Sequence, residues 1–354
     1  MVIDILPILL LLIFIFKLKI VRPLAIVNDD YLSITTSRVY KGLLALVVVF
    51  HHLAQRTKNG VLFHPFSGVG YLAVSVFFFF SGYGLQKSYM KSEDYKRRFL
   101  LYRLPKVLIP YIIVTFLYWI MNFIMGDIYT IKEIIITAII EGLPIDSNSW
   151  YIISIIAFYI VFWVLMLLFQ KHYFLMILGA CLWYILYVIY CLKMGYGEYW
   201  FNASHLLIVG MFWAIYEKKI LDIIEGHYFF ITVTIWLFFC FLICMSNKIF
   251  LLIPIKGIGF ICTVLKAILF TVGVLLFSLK FKVSNQILDF LGKISFEIYM
   301  LHGLFITILR SNIIYIYNEL LWCVLVLLCT IPFAFMMHIV FNSILKIYKK
   351  FIEY

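Results

Sequence analysis

"RVYKGLLALVVVFHHLAQR", residues 38–56, decides how this chain is read. Lys41 stands at one end of an apolar run, and two adjacent histidines, His51 and His52, stand near the other. In a soluble protein such a pair would lie at the surface or in a hydrogen-bonded core. The composition of the rest of the chain removes that setting. Of 354 residues, 65% are hydrophobic and 13% charged, and the mean hydropathy is +1.07, which leaves too few polar residues to cover a soluble core. Titratable rings placed in hydrocarbon cost free energy unless they face a polar cavity, so both histidines become candidates for function.

Working outward, apolar runs of the length that crosses a bilayer, about 17 to 25 residues, occupy residues 2–20, 39–55, 69–86, 107–125, 151–169, 174–192, 228–245, 257–279, 294–309 and 320–341, with a shorter one at 203–216. The expected fold class is therefore all-α: a polytopic integral membrane helix bundle. The first run carries Asp4 on its N-terminal side, no basic residue there and no small-residue cleavage site after it, so it reads as a retained helix and not as a signal peptide. The seven cysteines sit within or beside apolar runs in no metal-ligand spacing, and they read as small apolar filler with no metal site.

Orientation follows from charge. The stretch "KSYMKSEDYKRRFLLYRLPK", residues 87–106, concentrates Lys87, Lys91, Lys96, Arg97, Arg98, Arg103 and Lys106, and the positive-inside rule makes it cytoplasmic. Alternation from that anchor puts most of the 29 Lys and Arg inside, with the N-terminus outside and the C-terminus inside. The net charge of +12 is then explained by anionic membrane lipid, and it calls for no nucleic-acid partner.

Helix rise places the polar groups in depth. His52 follows Lys41 by eleven residues, roughly 16 Å at about 1.5 Å per residue, near the bilayer middle. In "ISFEIYMLHGLF", residues 294–305, His302 follows Lys293 by nine residues, with Glu297 five residues before it. "FFFFSGYGL", residues 77–85, brings Ser81, Gly82, Tyr83 and Gly84 to a similar level. Three helices from distant parts of the chain are expected to offer polar groups at nearly one depth.

"RVYKGLLALVVVFHH", "VFFFFSGYGL", "YRLPKVLIPY", "SWYIISIIAFY" and "SFEIYMLHGL" stand in the order and spacing of the membrane acyltransferase family 3 proteins, and from about Arg38 to Phe341 the chain resembles that family. The resemblance implies a ten-helix acyltransferase core, here preceded by one extra transmembrane helix. It divides the chain into residues 1–37 (extra helix and linker), 38–341 (acyltransferase membrane domain) and 342–354 (basic cytoplasmic tail). It also implies transfer of an acyl group, usually acetyl from cytoplasmic acetyl-CoA, to a sugar hydroxyl of a cell-surface glycan or its lipid-linked precursor in the plasma membrane. The family's first helix has an arginine, ten intervening residues and a histidine; Lys41 and His52 fill that spacing, with Lys in place of Arg. Its basic pair after the second helix is matched by Arg103 and Lys106, its Ser-Gly by Ser81 and Gly82, its aromatic pair by Trp150 and Tyr151, and its late tyrosine and histidine by Tyr299 and His302.

The chemistry agrees. Acyl transfer from a thioester to a hydroxyl needs a base, a donor for the developing oxyanion and positive charge for the coenzyme. His52 serves as general base, or as a relay of acyl group or proton, because imidazole titrates near neutrality. Ser81 is an oxyanion donor or acyl carrier, and His302 completes the catalytic set. Lys41, Arg98, Arg103 and Lys106 are expected to hold the coenzyme phosphates, the lysines as point charges without Arg's planar fork. His51, Tyr83, Trp150, Tyr151, Glu297 and Tyr299 are expected to line the substrate pocket. A glycan transporter or flippase, or a lipid-linked glycan polymerase, would share the basic polytopic plan but gives no reason for the Lys41 to His52 spacing. Residues 131–142 read as an interfacial or re-entrant helix, and "GYGEYWFNASH", residues 195–205, as an outer aromatic loop. His172, His205, His227 and His338 receive no role.

Overall fold

In hydrocarbon a backbone must satisfy its own N–H and C=O groups, and the α-helix does so within one segment. The computed structural model describes residues 2–21, 28–92, 94–139, 148–252 and 257–353, and the apolar runs in it are helices. In chain order these are α1 (Ile5–Ile15), a short strand β1 (Leu18–Ile20), α2 (Ile34–Ala54), α3 (Gly70–Lys91), α4 (Tyr95–Tyr102), α5 (Pro105–Met125), α6 (Ile131–Ile139), α7 (Trp150–Phe169), α8 (Tyr173–Lys193), α9 (Leu206–Leu252), α10 (Ile258–Lys280), β2 (Phe281–Val283), α11 (Gln286–Lys293), α12 (Ser295–Ile308) and α13 (Glu319–Glu353). Seven helices among the described residues are long and apolar enough to cross a membrane, and eight if α11 and α12, bent by 76° at their junction, form one span. The chain is a multi-pass membrane protein with an all-α bundle fold.

Hydrogen bonds define the two ends of the bundle. At one, the Asp4 carboxylate accepts from the backbone N–H groups of Val61, Leu62 and Phe63 at 3.3, 2.8 and 3.1 Å, and Glu319 at the start of α13 accepts from Lys58 N–H and the Asn59 amide. We call this the histidine end. At the other, β1 and β2 pair antiparallel with Lys19 opposite Lys282, Arg38 of α2 pairs with Asp289 of α11, and the lysines and arginines of residues 87–106 gather. This is the basic end.

Two helix boundaries differ from the sequence reading. The first helix ends at Ile15 and not near residue 20, because Lys17 takes a left-handed φ of 61° and the next three residues find hydrogen-bond partners in β2. α2 starts earlier than residue 39: the Ser33 side chain accepts from Thr36 N–H and caps the helix. Seven helical residues thus precede Lys41, so Lys41 lies inside the helix and is not its edge, and His52, two residues before the helix end, stands farther from the basic end than a count from Lys41 implies. The Lys41 to His52 separation stands; both ends of it move toward the histidine end.

α9 is two helices merged across His227, whose φ of −138° is not helical. Its first half descends along α3 from Leu207, beside Gly82, to Glu217, beside Lys87. Its second half climbs back, with Phe239 and Leu242 packed on Leu72 near the start of α3. Because Leu207 meets α3 midway along its length, the segment before it, residues 195–205, dips into the bundle. Trp200, Phe201, Asn202, Ser204 and His205 are buried there, and the expected outer aromatic loop is largely core. α6 is a short exposed helix; residues 140–142 of that predicted segment, and Arg22 and Lys256 of the charge pattern, lie outside the described residues. α13 runs unbroken into the basic tail.

Glycines set how close the helices come. A Cβ on Gly82 would run into the Leu207 carbonyl, one on Gly210 into the Phe79 carbonyl, and one on Gly42 into the Leu288 carbonyl. Small residues let helix backbones approach where lipid offers no hydrophobic drive for association. Gly84 of the same helix differs, since a Cβ there would meet nothing within 4 Å. Gly82→Val is therefore expected to lower the melting temperature of the purified protein, with an overpacking cost of about 1–3 kcal/mol, while Gly84→Ala leaves it close to the parent.

Candidate active site

The site begins with two rings. His302 of α12 is fully buried. Its Nδ1 lies 3.1 Å from the Ile298 carbonyl, one turn back; a carbonyl only accepts, so Nδ1 carries the proton and Nε2 is an acceptor, with the Asn148 amide nitrogen 3.4 Å away. The His52 ring stacks on His302 with centroids 5.1 Å apart and 30° between planes. His51 is 4.8 Å from His52, but both of its nitrogens are engaged. Nδ1–H donates to the Phe66 carbonyl at 3.0 Å, and Nε2 accepts from the Gln55 amide at 3.2 Å. His51 ties α2 to the turn at His64–Gly68, and its ring occupies the space that a Cβ on Gly70 would need.

His52, half-buried, faces a cavity of about 750 Å³ at the histidine end, whose walls include His51, Gln55, Arg56, Trp150, Tyr199 and Tyr299. Tyr299 is shared with a second, narrow cavity of about 180 Å³ that holds Ser81, Tyr151 and Tyr159. The Ser81 hydroxyl lies near the Tyr151 phenol in this cavity. Tyr151 packs edge-on against Tyr299 at 5.1 Å, and the Tyr299 hydroxyl donates to the Asn148 carbonyl at 2.8 Å. Lys41, Phe80 and Arg103 are shared in turn with a basin of about 980 Å³ at the basic end. The three cavities follow one another along the bundle, each sharing wall residues with the next.

Charge is distributed unevenly along this series. Arg38, Lys41, Lys87, Lys91, Arg103 and Lys293 border the basin. Lys41 Nζ sits 5.6 Å from the Phe80 ring centroid, a favourable cation–π distance, and Arg103 reaches the Tyr159 hydroxyl. Glu217, on the first half of α9, pairs with Lys87 and accepts from the hydroxyls of Tyr31 and Tyr83 at 2.6 and 2.9 Å. The Trp213 indole donates to Tyr31 at 2.8 Å, so the carboxylate is held on several sides.

The predicted residues separate into groups. His52 and His302 meet; His51, Trp150 and Tyr299 border the same cavity; Ser81 and Tyr151 form the narrow part, one step toward the basic end; Lys41 and Arg103 stand between the narrow part and the basin. Tyr83 does not join the histidines: it borders the basin and donates to Glu217. Glu297 also turns away, accepting from His338 Nδ1 at 2.7 Å. Arg98 is exposed and borders none of these cavities, because its neighbour Phe99 takes the buried face of α4 against Tyr159 and Phe162. Lys106 is exposed as well: Pro105 opens a new helix after Arg103, so the two basic residues share no helix face.

Glu217, Asn148, Arg56 and Gln55 belong to these sites although the sequence motifs give them no role there. Glu217 had a signal, a lone carboxylate closing the apolar run at 203–216. Asn148 had none, since only the fold brings it to His302.

The family model described as an acyltransferase domain matches residues 38–339. No curated protein and no solved structure matches the chain.

Proposed function

The chain belongs to acyltransferase family 3, and we propose that this membrane acyltransferase moves an acyl group, acetyl in the simplest case, from cytoplasmic acyl-CoA to a hydroxyl of a cell-surface polysaccharide or its lipid-linked precursor. The observation that carries this reading is the series of cavities, with a basic basin at one end, a half-buried imidazole at the other and hydroxyls between. In this reading the basic end faces the cytoplasm, where anionic lipid and acyl-CoA are both found, and the protein resides in the plasma membrane. Lys41 and Arg103 hold coenzyme phosphate at the mouth of the narrow part, Arg103 with a planar fork suited to phosphate oxygens. The thioester reaches past them toward Ser81 and Tyr151, whose hydroxyls are placed to donate to a developing oxyanion.

At the other side the acceptor hydroxyl lies against His52. A ring nitrogen of His52 takes the hydroxyl proton as the oxygen attacks the thioester carbonyl; the new ester forms, the carbon–sulfur bond breaks, and the thiolate leaves to be protonated. His302 is a positioning residue, its ring fixed by the Ile298 carbonyl and stacked behind His52. His51, with both nitrogens engaged, holds the cavity wall and takes no proton.

Purified protein incubated with labelled acetyl-CoA and a glycan-containing membrane extract tests the reading: acetyl transfer supports it, and a protein that leaves the coenzyme untouched is a transporter or polymerase. Within it, His52→Ala is expected to abolish transfer while the protein still accumulates, and His51→Ala to keep part of the activity at matched membrane levels. Arg103→Gln should raise the KM for acetyl-CoA by roughly 10- to 100-fold, the size of a lost charge-assisted hydrogen bond, whereas Lys106→Gln, away from the basin, should change it little. Orientation is checked separately. A single cysteine at Lys91 should resist a membrane-impermeant thiol reagent applied to intact cells, and one at Asn59 should react.

A further inference from the structure

The cavity facing His52 carries an uneven charge. Its walls offer amides, hydroxyls and rings, from Asn122, Asn148, Asn202, Tyr118 and Trp150 among others, yet among the described residues no carboxylate borders it, and Arg56 is its one permanently charged group. Arg56 follows His52 by four residues, just past the end of α2, where its N–H still donates to the Leu53 carbonyl at 3.0 Å. The one-turn offset keeps the two side chains on the same side of the chain.

Arg56 is also held in place from outside the cavity. Its carbonyl accepts from Arg310 Nη1 at 2.8 Å. Arg310 is fixed in turn, by its bond to the Ile316 carbonyl and by lying 3.8 Å over the Trp322 ring. The residues that follow, Lys58 and Asn59, are pinned to Glu319. Arg56 itself makes no ion pair among the described residues. Partial desolvation, and then the charge of Arg310, lower its pKa from the ordinary value, so an anion placed beside it would relieve a disfavoured cation.

We propose that the acceptor is an anionic glycan, bearing a carboxylate or phosphate close to the hydroxyl that is acylated, and that Arg56 selects it. This rests on the reading that the cavity takes the acceptor. A guanidinium donates two parallel hydrogen bonds to either anion, a charge-assisted pairing stronger than any a neutral hydroxyl could make with it. A neutral sugar would fill the same aromatic and amide walls while leaving the guanidinium uncompensated. Because the Arg56 backbone is pinned, only its side chain remains to be ordered by the contact.

The test uses the full chain in nanodiscs of phosphatidylcholine, which offers no net anionic headgroup, at constant ionic strength. Methyl glucuronide, glucose 1-phosphate and methyl glucoside are titrated separately, and binding is followed by tryptophan fluorescence, Trp150 being in the wall. The parent is expected to bind at least one anionic probe about tenfold or more tightly than the glucoside. The tighter of the two identifies the anion as carboxylate or phosphate. Arg56→Gln should lose that preference and Arg56→Lys should keep part of it, with both variants melting near the parent. Equal binding of all three probes by the parent, no binding of any, or a preference that survives Arg56→Gln overturns the proposal. Acetyl-CoA turnover is measured on the same sample: its absence alongside an intact anion preference defeats the acyltransfer reading and not the charge of the ligand.

Discussion

The stacking of His52 on His302 is the contact on which the arrangement depends. An imidazole inside a membrane protein is costly unless its nitrogens find partners or face water. Here the problem is solved by division. His302 donates its Nδ1–H to a carbonyl of its own helix and is sealed in; His51 is bonded at both nitrogens; His52 is left with a ring face on its neighbour and an edge toward the cavity. The same contact joins α2 to α12, helices separated by more than half of the chain. The bend of 76° between α11 and α12 lets α11 pack against the start of α2, through Gly42, Gly292 and the Arg38–Asp289 pair, while α12 continues to the histidines.

A chemical gradient follows along the bundle. Permanent positive charge crowds the basin, hydroxyls and aromatic rings occupy the narrow middle, and amides with imidazole line the far cavity. A reaction that joins a charged donor on one side to a hydroxyl on the other needs that order, because each substrate then stays in the environment that suits it and only the reacting group crosses the middle. Glu217 does not border the basin but neutralises one of its cations from behind the wall. By engaging Lys87 together with Tyr31 and Tyr83 it fixes one wall and leaves Lys41 and Arg103 as the cations nearest the narrow part.

The N-terminal segment lies before the matched family region and is clamped at both ends of the bundle. Asp4 caps three consecutive N–H groups of the 61–63 turn, β1 adds to β2, and between them the Asn285 amide donates to the Ile13 carbonyl. The Asp4 contact borders the turn whose Phe66 carbonyl receives the His51 proton. Packing of the added helix therefore reaches, through one loop, the wall of the cavity.

Much of this was legible in the residues. Apolar composition and run length determine a helical membrane bundle, because in lipid only helices and closed barrels satisfy the backbone and continuous apolar runs of this length fit helices, and the spacing from Lys41 to His52 survives because both lie on one continuous helix. What a linear reading could not supply is where each helix begins and which way each side chain turns. Ser33 caps α2 one and a half turns earlier than hydropathy suggested, and Lys41 therefore lies inside the helix and not at its edge. Tyr83 and Glu297 lie nearer the basic end than the histidines they were expected to join, turned to Glu217 and His338, since both the offset between helices and the azimuth of each side chain follow from packing and not from residue count. Arg103 and Lys106 look paired in sequence, but a new helix starting at Pro105 separates them. Asn148 was silent until tertiary structure brought it beside His302, and Arg56, always four residues from His52, took on meaning only once the cavity walls around it were in place, for the physical reason that a lone amide or a loop arginine acquires meaning only from the groups it faces.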